Sequence, residues 1–139
     1  MNLLVQNNYL HSDLGQCSCA IGRNGLTKNK IEGDHKTPIG EFKFNKVVYR
    51  ADKLGEMVFN LPSQVIGKDY GWCDDPEHKQ YNQLITFPCS ASAEKLYRED
   101  NLYDLLFVIN YNTDPVVPGN GSAIFLHISK PNFDGTEGC

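Results

Sequence analysis

Apolar residues occur along this chain in short runs, separated by glycine, proline, asparagine and aspartate. Runs of this length, rich in β-branched and aromatic residues and bounded by turn-forming residues, are typical of β-strands joined by loops. The pattern therefore predicts a mainly β protein with one or two short helices. The candidate strands are Leu3 to Gln6, Cys17 to Ile21, Glu41 to Tyr49, Leu84 to Phe87, Leu105 to Ile109 and Ala123 to Ile128.

The candidate strands differ in their side-chain pattern. Residues 41 to 47 alternate polar and apolar, which predicts a strand with one buried and one wet face. Residues 105 to 109 and 123 to 126 are apolar throughout, as in strands covered on both faces. We expect these two later strands to form the centre of the sheet.

Three segments predict other structures. Residues 92 to 98 place Ala93, Leu96 and Tyr97 on one helical face, so we expect a helix of one or two turns there. Residues 37 to 40, with proline second and glycine fourth, fit a type I turn. Residues 60 to 81 lack periodicity and are interpreted as a long surface loop.

Composition narrows the class of protein. A length of 139 residues suits one domain, so we treat residues 1 to 139 as one. The formal net charge of -4, without a cluster of Lys and Arg, argues against nucleic acid as a partner. No apolar run approaches the roughly 20 residues of a membrane helix, so no membrane span is expected. Five cysteines, an odd number, favour reduced thiols.

Cys17 and Cys19 share one face of a predicted strand, and we interpret both as core residues. A disulfide from either to Cys73 or Cys89 stays open if the protein is exported.

The most informative chemistry lies at the end of the chain. His127 closes an apolar strand, and a loop containing glycine, proline and asparagine leads from it to Gly138-Cys139. A thiol needs a nearby base to become a reactive thiolate, and a preceding glycine leaves main-chain N–H groups accessible to an oxyanion. The pair suits acyl transfer, although a core histidine beside a structural thiol has the same spacing.

Several motifs in a fixed order strengthen that hypothesis. Glu32-Gly33-Asp34, Lys36-Thr37-Pro38, Gly40 and Phe42 are followed by a late His127 and then by Thr136, Gly138 and Cys139. Over residues 16 to 139 this order resembles the peptidoglycan L,D-transpeptidase catalytic domain, the YkuD-like family.

The resemblance implies a β-sandwich or barrel-like fold, no metal and no cofactor. It implies that the Cys139 thiolate attacks the bond between diaminopimelate and D-Ala in a tetrapeptide stem of peptidoglycan. The thioester then passes to an amine to make a cross-link. His127 would act as the base, oriented by the main-chain carbonyl of Ile128, and the N–H groups of Gly138 and Cys139 would form the oxyanion hole.

Three features depart from the family pattern. Glu137 stands where a histidine usually precedes the Gly-Cys pair, and a close carboxylate would raise the thiol pKa. The loop from His127 to Cys139 is shorter than in the commoner members of the family. The chain stops at Cys139, so we expect a domain truncated at its C-terminus. The resemblance implies a cell-envelope or periplasmic location, whereas residues 1 to 8 show no export signal.

Candidate substrate contacts are Lys36 and Thr37 in the early motif, with Trp72 and Tyr111 as aromatic residues that could line a groove. Half-buried core positions are the alternative for the aromatic residues, as for Tyr81 and Tyr103. Asp74, Asp75, Glu77 and His78 could hold a divalent ion or form a solvated loop.

Two further functions stay open at this stage. Water rather than an amine could resolve the thioester, which would make the protein an L,D-carboxypeptidase or an amidase. The chain could also be a catalytically impaired domain that only binds the cell wall. The sequence gives no indication of the oligomeric state or of the natural acceptor amine.

Overall fold

A computed structural model describes residues 1 to 139 and confirms a mainly β architecture. Its one helix, α1, has four residues, and no helix in the structure could cross a lipid bilayer. The elements in chain order are β1 Leu4–Gln6, β2 Tyr9–Ser12, β3 Gly15–Ser18, β4 Leu26–Thr27, β5 Thr37–Pro38, β6 Phe44–Tyr49, α1 Ala51–Leu54, β7 Ser63–Val65, β8 Tyr70–Cys73, β9 Leu84–Thr86, β10 Ala93–Lys95, β11 Leu105–Ile109 and β12 Phe125–His127.

Two sheets make up the body of the protein. The first has four strands in the order β12-β11-β6-β7, with β11 antiparallel to both of its neighbours and β7 parallel to β6. The second is antiparallel with three strands in the order β10-β8-β9. A hairpin sheet of β1, β2 and β3 and a parallel pair of β4 and β5 complete the structure.

The main core contains apolar side chains from both sheets, which gives the fold its sandwich character. Leu106 and Phe125 from the four-stranded sheet join Trp72 and Leu96 from the three-stranded side in one cluster of nine buried residues. The indole of Trp72 meets the ring of Phe125 edge to face, with ring centroids 5.1 Å apart. Burying this apolar surface is the main force that holds the sheets together.

The last two predicted strands are present, but only one is central. Strand β11 has the predicted bounds and is an inner strand, whereas β12 is an edge strand. Burial in β11 alternates: Leu106 and Val108 are buried and Leu105 is partly exposed. Its second face is covered only in part, by aromatic rings such as Phe44 and Phe59 around Phe107. An apolar run therefore did not require complete cover on both faces.

The helix predicted for residues 92 to 98 is wrong. Ala93–Lys95 forms β10, which pairs with β8 so that Glu94 lies opposite Trp72. Only about two turns of helix were available here, and a short helix has an unfavourable nucleation step. Strand pairing satisfies the same main-chain groups and leaves Leu96 fully buried.

The surface loop predicted for residues 60 to 81 is also wrong. This segment contains β7 and the central strand β8, and Trp72 and Cys73 are buried. Because β8 is short and begins with Tyr70-Gly71, it shows no alternating pattern in the sequence.

The predicted turn at residues 37 to 40 is replaced in part by strand β5. Thr37 N–H donates to Gly25 O at 2.9 Å, and Ile39 N–H donates to Thr27 O at 2.8 Å. Pro38 lies between these two donors, where a parallel pair needs no N–H from it.

The cysteines at positions 17 and 19 are not core residues. Cys17 is exposed and Cys19 is partly exposed, because β3 belongs to the hairpin sheet, whose residues are largely exposed. All five cysteines are free thiols in the structure.

The packing between the sheets yields the first prediction. Leu106 is fully buried in the main core, so Leu106→Ala should lower the free energy of unfolding by about 2–5 kcal/mol. Urea denaturation followed by tryptophan fluorescence measures this change. Leu14→Ala, at a side chain that is 84% exposed, is the matched control and should change stability little. Equal effects of the two variants would contradict the assigned core.

Candidate active site

The segment that carries Cys139 is anchored to residues from the first third of the chain. Thr136 pairs with Gly22 in an isolated parallel bridge. Arg23 N–H donates to Thr136 O, and Thr136 N–H donates to Ile21 O, both at 2.9 Å. The loop that follows β12 therefore returns to a fixed position.

The main chain of Cys139 is held by two threonine hydroxyls. Thr37 and Thr136 both donate to its main-chain oxygen, at 2.8 and 2.7 Å. The Thr37 hydroxyl also accepts a hydrogen bond from Gly22 N–H at 2.7 Å. Thr37, which the sequence suggested as a substrate contact, thus has a clear role in holding the candidate nucleophile.

The thiol of Cys139 lies against the main core. Its Sγ donates to the main-chain oxygen of Ala123 at 3.1 Å, although the residue as a whole is partly exposed. Burial of the sulfur, reinforced by the Glu94 carboxylate, raises the thiol pKa to about 12. A hydrogen bond from the main chain of Phe125 and the positive charge of Lys30 act in the opposite direction. The thiol is therefore neutral near pH 7 in the unliganded protein.

The His127 ring is oriented by its own strand end. Its Nδ1 lies 2.8 Å from the main-chain oxygen of Ile128, and Tyr103 packs edge-on against the ring with centroids 5.2 Å apart. When Nδ1 carries the proton that it donates to this carbonyl, Nε2 has a free lone pair. Burial lowers the pKa of His127, which keeps the imidazole neutral and able to accept a proton.

No hydrogen bond joins the thiol of Cys139 to His127 in this structure, because the thiol donates to Ala123 instead. Catalytic hydrogen bonds often tighten only when substrate is bound, so this geometry is compatible with a nucleophile and base that meet during the reaction.

The two main-chain donors suggested for the oxyanion hole are not equivalent. Gly138 N–H donates to the Thr136 hydroxyl at 3.2 Å, whereas Cys139 N–H makes no hydrogen bond within the protein. Gly138 has φ +137°, a conformation that favours glycine, and a methyl group there would lie 3.1 Å from Lys30 Nζ. The N–H of Cys139 is thus free to bind an oxyanion, whereas the N–H of Gly138 is already engaged by Thr136.

The other suggested substrate contacts lie in different environments. Lys36 is partly exposed, and its ammonium forms no ion pair. Tyr111 is partly exposed and donates through its hydroxyl to Asn120 O at 2.8 Å. Trp72 is only 3% exposed and donates through Nε1 to Asn82 Oδ1, and both residues also line an open cavity.

Asn82 and Ala123 lie beside the thiol, although neither was predicted as a site residue. Asn82 Oδ1 accepts from both Trp72 Nε1 and Ala123 N–H, at 2.9 and 3.0 Å. Ala123 has φ +55°, which is uncommon for a residue with a side chain, and its oxygen receives the Cys139 thiol. Asn82 thereby holds the N–H side of the residue whose oxygen accepts from the thiol. The buried amide was visible in the sequence only as the Tyr81-Asn82 pair, without a signal for its partners.

Glu94 and Tyr103 form a second unpredicted pair. The Tyr103 hydroxyl donates to Glu94 Oε1 through a short hydrogen bond. Burial raises the pKa of Glu94, and the same carboxylate contributes to the raised pKa of Cys139. The helix predicted for residues 92 to 98 did not reveal the Glu94–Tyr103 pair, because it gave Glu94 no partner.

The Glu137 carboxylate is not among the groups that shift the pKa of the Cys139 thiol. Its carboxylate is 67% exposed and lies 2.9 Å from Arg23 Nη1. Its second oxygen lies 2.8 Å from His35 Nδ1, off the line of a hydrogen bond. The charges that act most on the Cys139 thiol are those of Glu94 and Lys30.

No group of three or more His, Cys, Asp and Glu side chains is arranged to hold a metal ion. Asp74, Asp75, Glu77 and His78 therefore form no metal centre in the structure, and Asp75 instead accepts a hydrogen bond from Glu77 N–H.

The protein is a β-sandwich in which Cys139 packs against the core cluster that contains Tyr103, and the His127 ring packs on the same tyrosine. The family model for the L,D-transpeptidase catalytic domain, YkuD, matches residues 3–139, which is nearly the whole chain. The chain therefore belongs to this family, as its motifs indicated. Searches of curated proteins and of solved structures gave no match.

The raised thiol pKa predicts the pH dependence of alkylation at Cys139. Below a pKa of about 12 the thiolate fraction, and with it the rate with iodoacetamide, should rise about tenfold per pH unit. At pH 8 the native thiol should react at least about a hundredfold more slowly than in urea-denatured protein. Peptide mass spectrometry resolves Cys139 from the exposed Cys17. A rate that levels off near pH 8 would contradict this environment.

The two carboxylates should have different effects on the same rate. Glu94→Gln removes a negative charge that raises the thiol pKa, so alkylation of Cys139 at pH 9 should become several-fold faster. Glu137→Gln should leave the rate within about twofold, since this exposed carboxylate faces Arg23. The reverse order of effects would show that Glu137, not Glu94, controls the thiol.

Proposed function

We propose that the protein is a cysteine-dependent L,D-transpeptidase that acts on the tetrapeptide stems of peptidoglycan, with Cys139 as nucleophile and His127 as base. The observation that supports this proposal is that Cys139 packs against the core cluster containing Tyr103 and that His127 packs on the same tyrosine, in a domain that matches the family. The His127 ring is oriented by Ile128 O at Nδ1, so that Nε2 is the nitrogen we assign to proton transfer.

The first half-reaction forms a thioester. His127 Nε2 takes the proton from Cys139 Sγ as sulfur attacks the carbonyl carbon of the diaminopimelate–D-Ala bond. The resulting oxyanion is stabilised by main-chain N–H groups, of which Cys139 N–H is free. The C–N bond then breaks, the imidazolium returns its proton to the leaving amine, and D-Ala departs.

The second half-reaction transfers the acyl group to an amine. The acceptor nitrogen attacks the thioester carbonyl, His127 accepts a proton from that nitrogen, and the C–S bond breaks. The products are a new amide cross-link and the free thiol. Because burial raises the thiol pKa and lowers the pKa of His127, the ion pair is unfavourable without substrate. Proton transfer and attack on the substrate are therefore coupled.

Lys36 and Tyr111 are the proposed substrate contacts. Lys36 adjoins the Cys139 segment, since its main-chain oxygen lies beside Gly138, and its ammonium has no carboxylate partner. A stem peptide offers carboxylates that this ammonium can bind. The partly exposed ring of Tyr111 supplies a flat apolar surface with a polar tip. The substrate implies action in the cell envelope.

The proposal is tested by intact mass spectrometry after incubation with a diaminopimelate-containing tetrapeptide. Wild-type protein should gain the mass of the stem without its terminal D-Ala, because the thioester keeps the acyl part alone. Cys139→Ala should show no gain, and His127→Ala should acylate at least about a hundredfold more slowly. Adding a diaminopimelate amine should yield cross-linked product.

Other results would redirect the assignment. Release of free tripeptide in the presence of excess acceptor would identify an L,D-carboxypeptidase or amidase. Binding of cell-wall fragments without any acylation of Cys139 would identify a binding domain.

A further inference from the structure

Lys30, a buried lysine that the sequence did not suggest as a site residue, lies beside Gly138, the residue before the candidate nucleophile. The Lys30 side chain is only 4% exposed, and its Nζ lies 2.5 Å from Asp34 Oδ1. Burying an ammonium group is costly unless it is paired, and even a paired ion contributes little net stability compared with apolar packing. Lys30 is therefore an unusual choice for a purely structural position.

The path of the Lys30 side chain runs between two glycines that flank the site. A methyl group at Gly121 would lie 2.8 Å from Lys30 Cγ, and one at Gly138 would lie 3.1 Å from Lys30 Nζ. Gly121 precedes Ala123, whose oxygen receives the thiol, and Gly138 precedes Cys139. The absence of side chains at both glycines lets the ammonium reach the main chain beside the nucleophile.

The opposite end of the pair is organised to hold this position. Asp34 accepts hydrogen bonds from Lys30 and from the main-chain N–H groups of Ile31 and Lys36. Burial acts against ionisation of Asp34, but these hydrogen bonds outweigh it and lower the pKa of its carboxyl. The carboxylate is thus ionised and fixes the direction of the Lys30 ammonium.

The ammonium has donor capacity to spare. It carries three N–H donors, and its only hydrogen bond within the protein is to Asp34. On the same side of the site, Gly138 N–H is already engaged by Thr136, so the main chain offers only Cys139 N–H as a free donor. The Lys30 ammonium next to this turn therefore adds N–H donors where the main chain has only one free.

We propose that Lys30 is a charge-stabilising residue of the active site, whose ammonium favours the Cys139 thiolate and the oxyanion formed next to it. Only the effect on the oxyanion rests on the proposed function, because the effect on the thiolate can be measured without any substrate. The positive charge of Lys30 already opposes the rise in the thiol pKa that burial causes.

The test compares the pH profile of iodoacetamide alkylation at Cys139 in wild type, Lys30→Met and Lys30→Arg. Lys30→Met should be about tenfold slower at each pH between 8 and 10, a shift of about one pH unit in the profile. Lys30→Arg retains the charge and should stay within about threefold of wild type. Lys28→Met, at an exposed lysine nearby, is the matched control and should match wild type.

An unchanged profile in folded Lys30→Met would overturn the inference, and so would equal slowing in Lys30→Met and Lys30→Arg, which would indicate a steric role. Circular dichroism establishes that each variant is folded. If Lys30→Met does not fold, Lys30→Met/Asp34→Asn removes both charges and carries the same test, since no buried carboxylate is left unpaired.

Acylation by the tetrapeptide separates this inference from the proposed function. In Lys30→Met the rate of thioester formation should fall further than the rate of alkylation, because the oxyanion also loses a stabilising charge. Equal losses would remove the oxyanion part of the inference. Failure of the wild-type protein to acylate would reject the proposed function, while the alkylation profiles would still decide the role of Lys30 at the thiolate.

Discussion

The hydrogen bond from the Cys139 thiol to the main-chain oxygen of Ala123 determines the state of the candidate site. It places the sulfur against the apolar core rather than on the imidazole of His127. The acceptor is itself fixed, because Ala123 N–H is bound by Asn82 and the residue is held at a positive φ. A strained conformation of this kind persists only where the surroundings impose it.

That constraint explains the electrostatic character of the resting site. Burial raises the pKa of the Cys139 thiol and lowers the pKa of the His127 imidazole. Both groups are therefore neutral in the unliganded protein. The charge of Glu94 opposes the thiolate and the charge of Lys30 favours it. After burial, the charges that act on the thiol pKa of Cys139 thus come from β10 and from the segment before β5, neither of which adjoins Cys139 in the sequence.

The parts of the fold that the sequence predicts well are those with a strong local signal. Strand β11 is five apolar residues in a row, and its bounds were predicted without error. Strand β8 and the correct state of residues 93 to 95 were missed, because each is defined by pairing with the other. Neither segment shows a periodicity that would reveal its partner.

The same distinction applies to the site. The order of motifs led to His127 and Cys139, and to the neighbouring carbonyl of Ile128. Glu94, Asn82 and Lys30 were not found, since their relation to Cys139 is entirely tertiary. The direction of the Glu137 side chain was open for a related reason: adjacency in sequence says nothing about direction, and in this turn the side chain faces Arg23.

Residues 136 to 139 are anchored by contacts with residues that are far away in the sequence. Thr37 and Cys139 are 102 positions apart, and Arg23 and Glu137 are 114 apart. Such contacts close large loops and are not part of the packed centre of the sandwich. A local opening that breaks the hydrogen bonds from Thr37 and Thr136 to Cys139 would displace the candidate nucleophile while both sheets stay folded. The order of the candidate site and the stability of the fold are accordingly separate properties of this molecule.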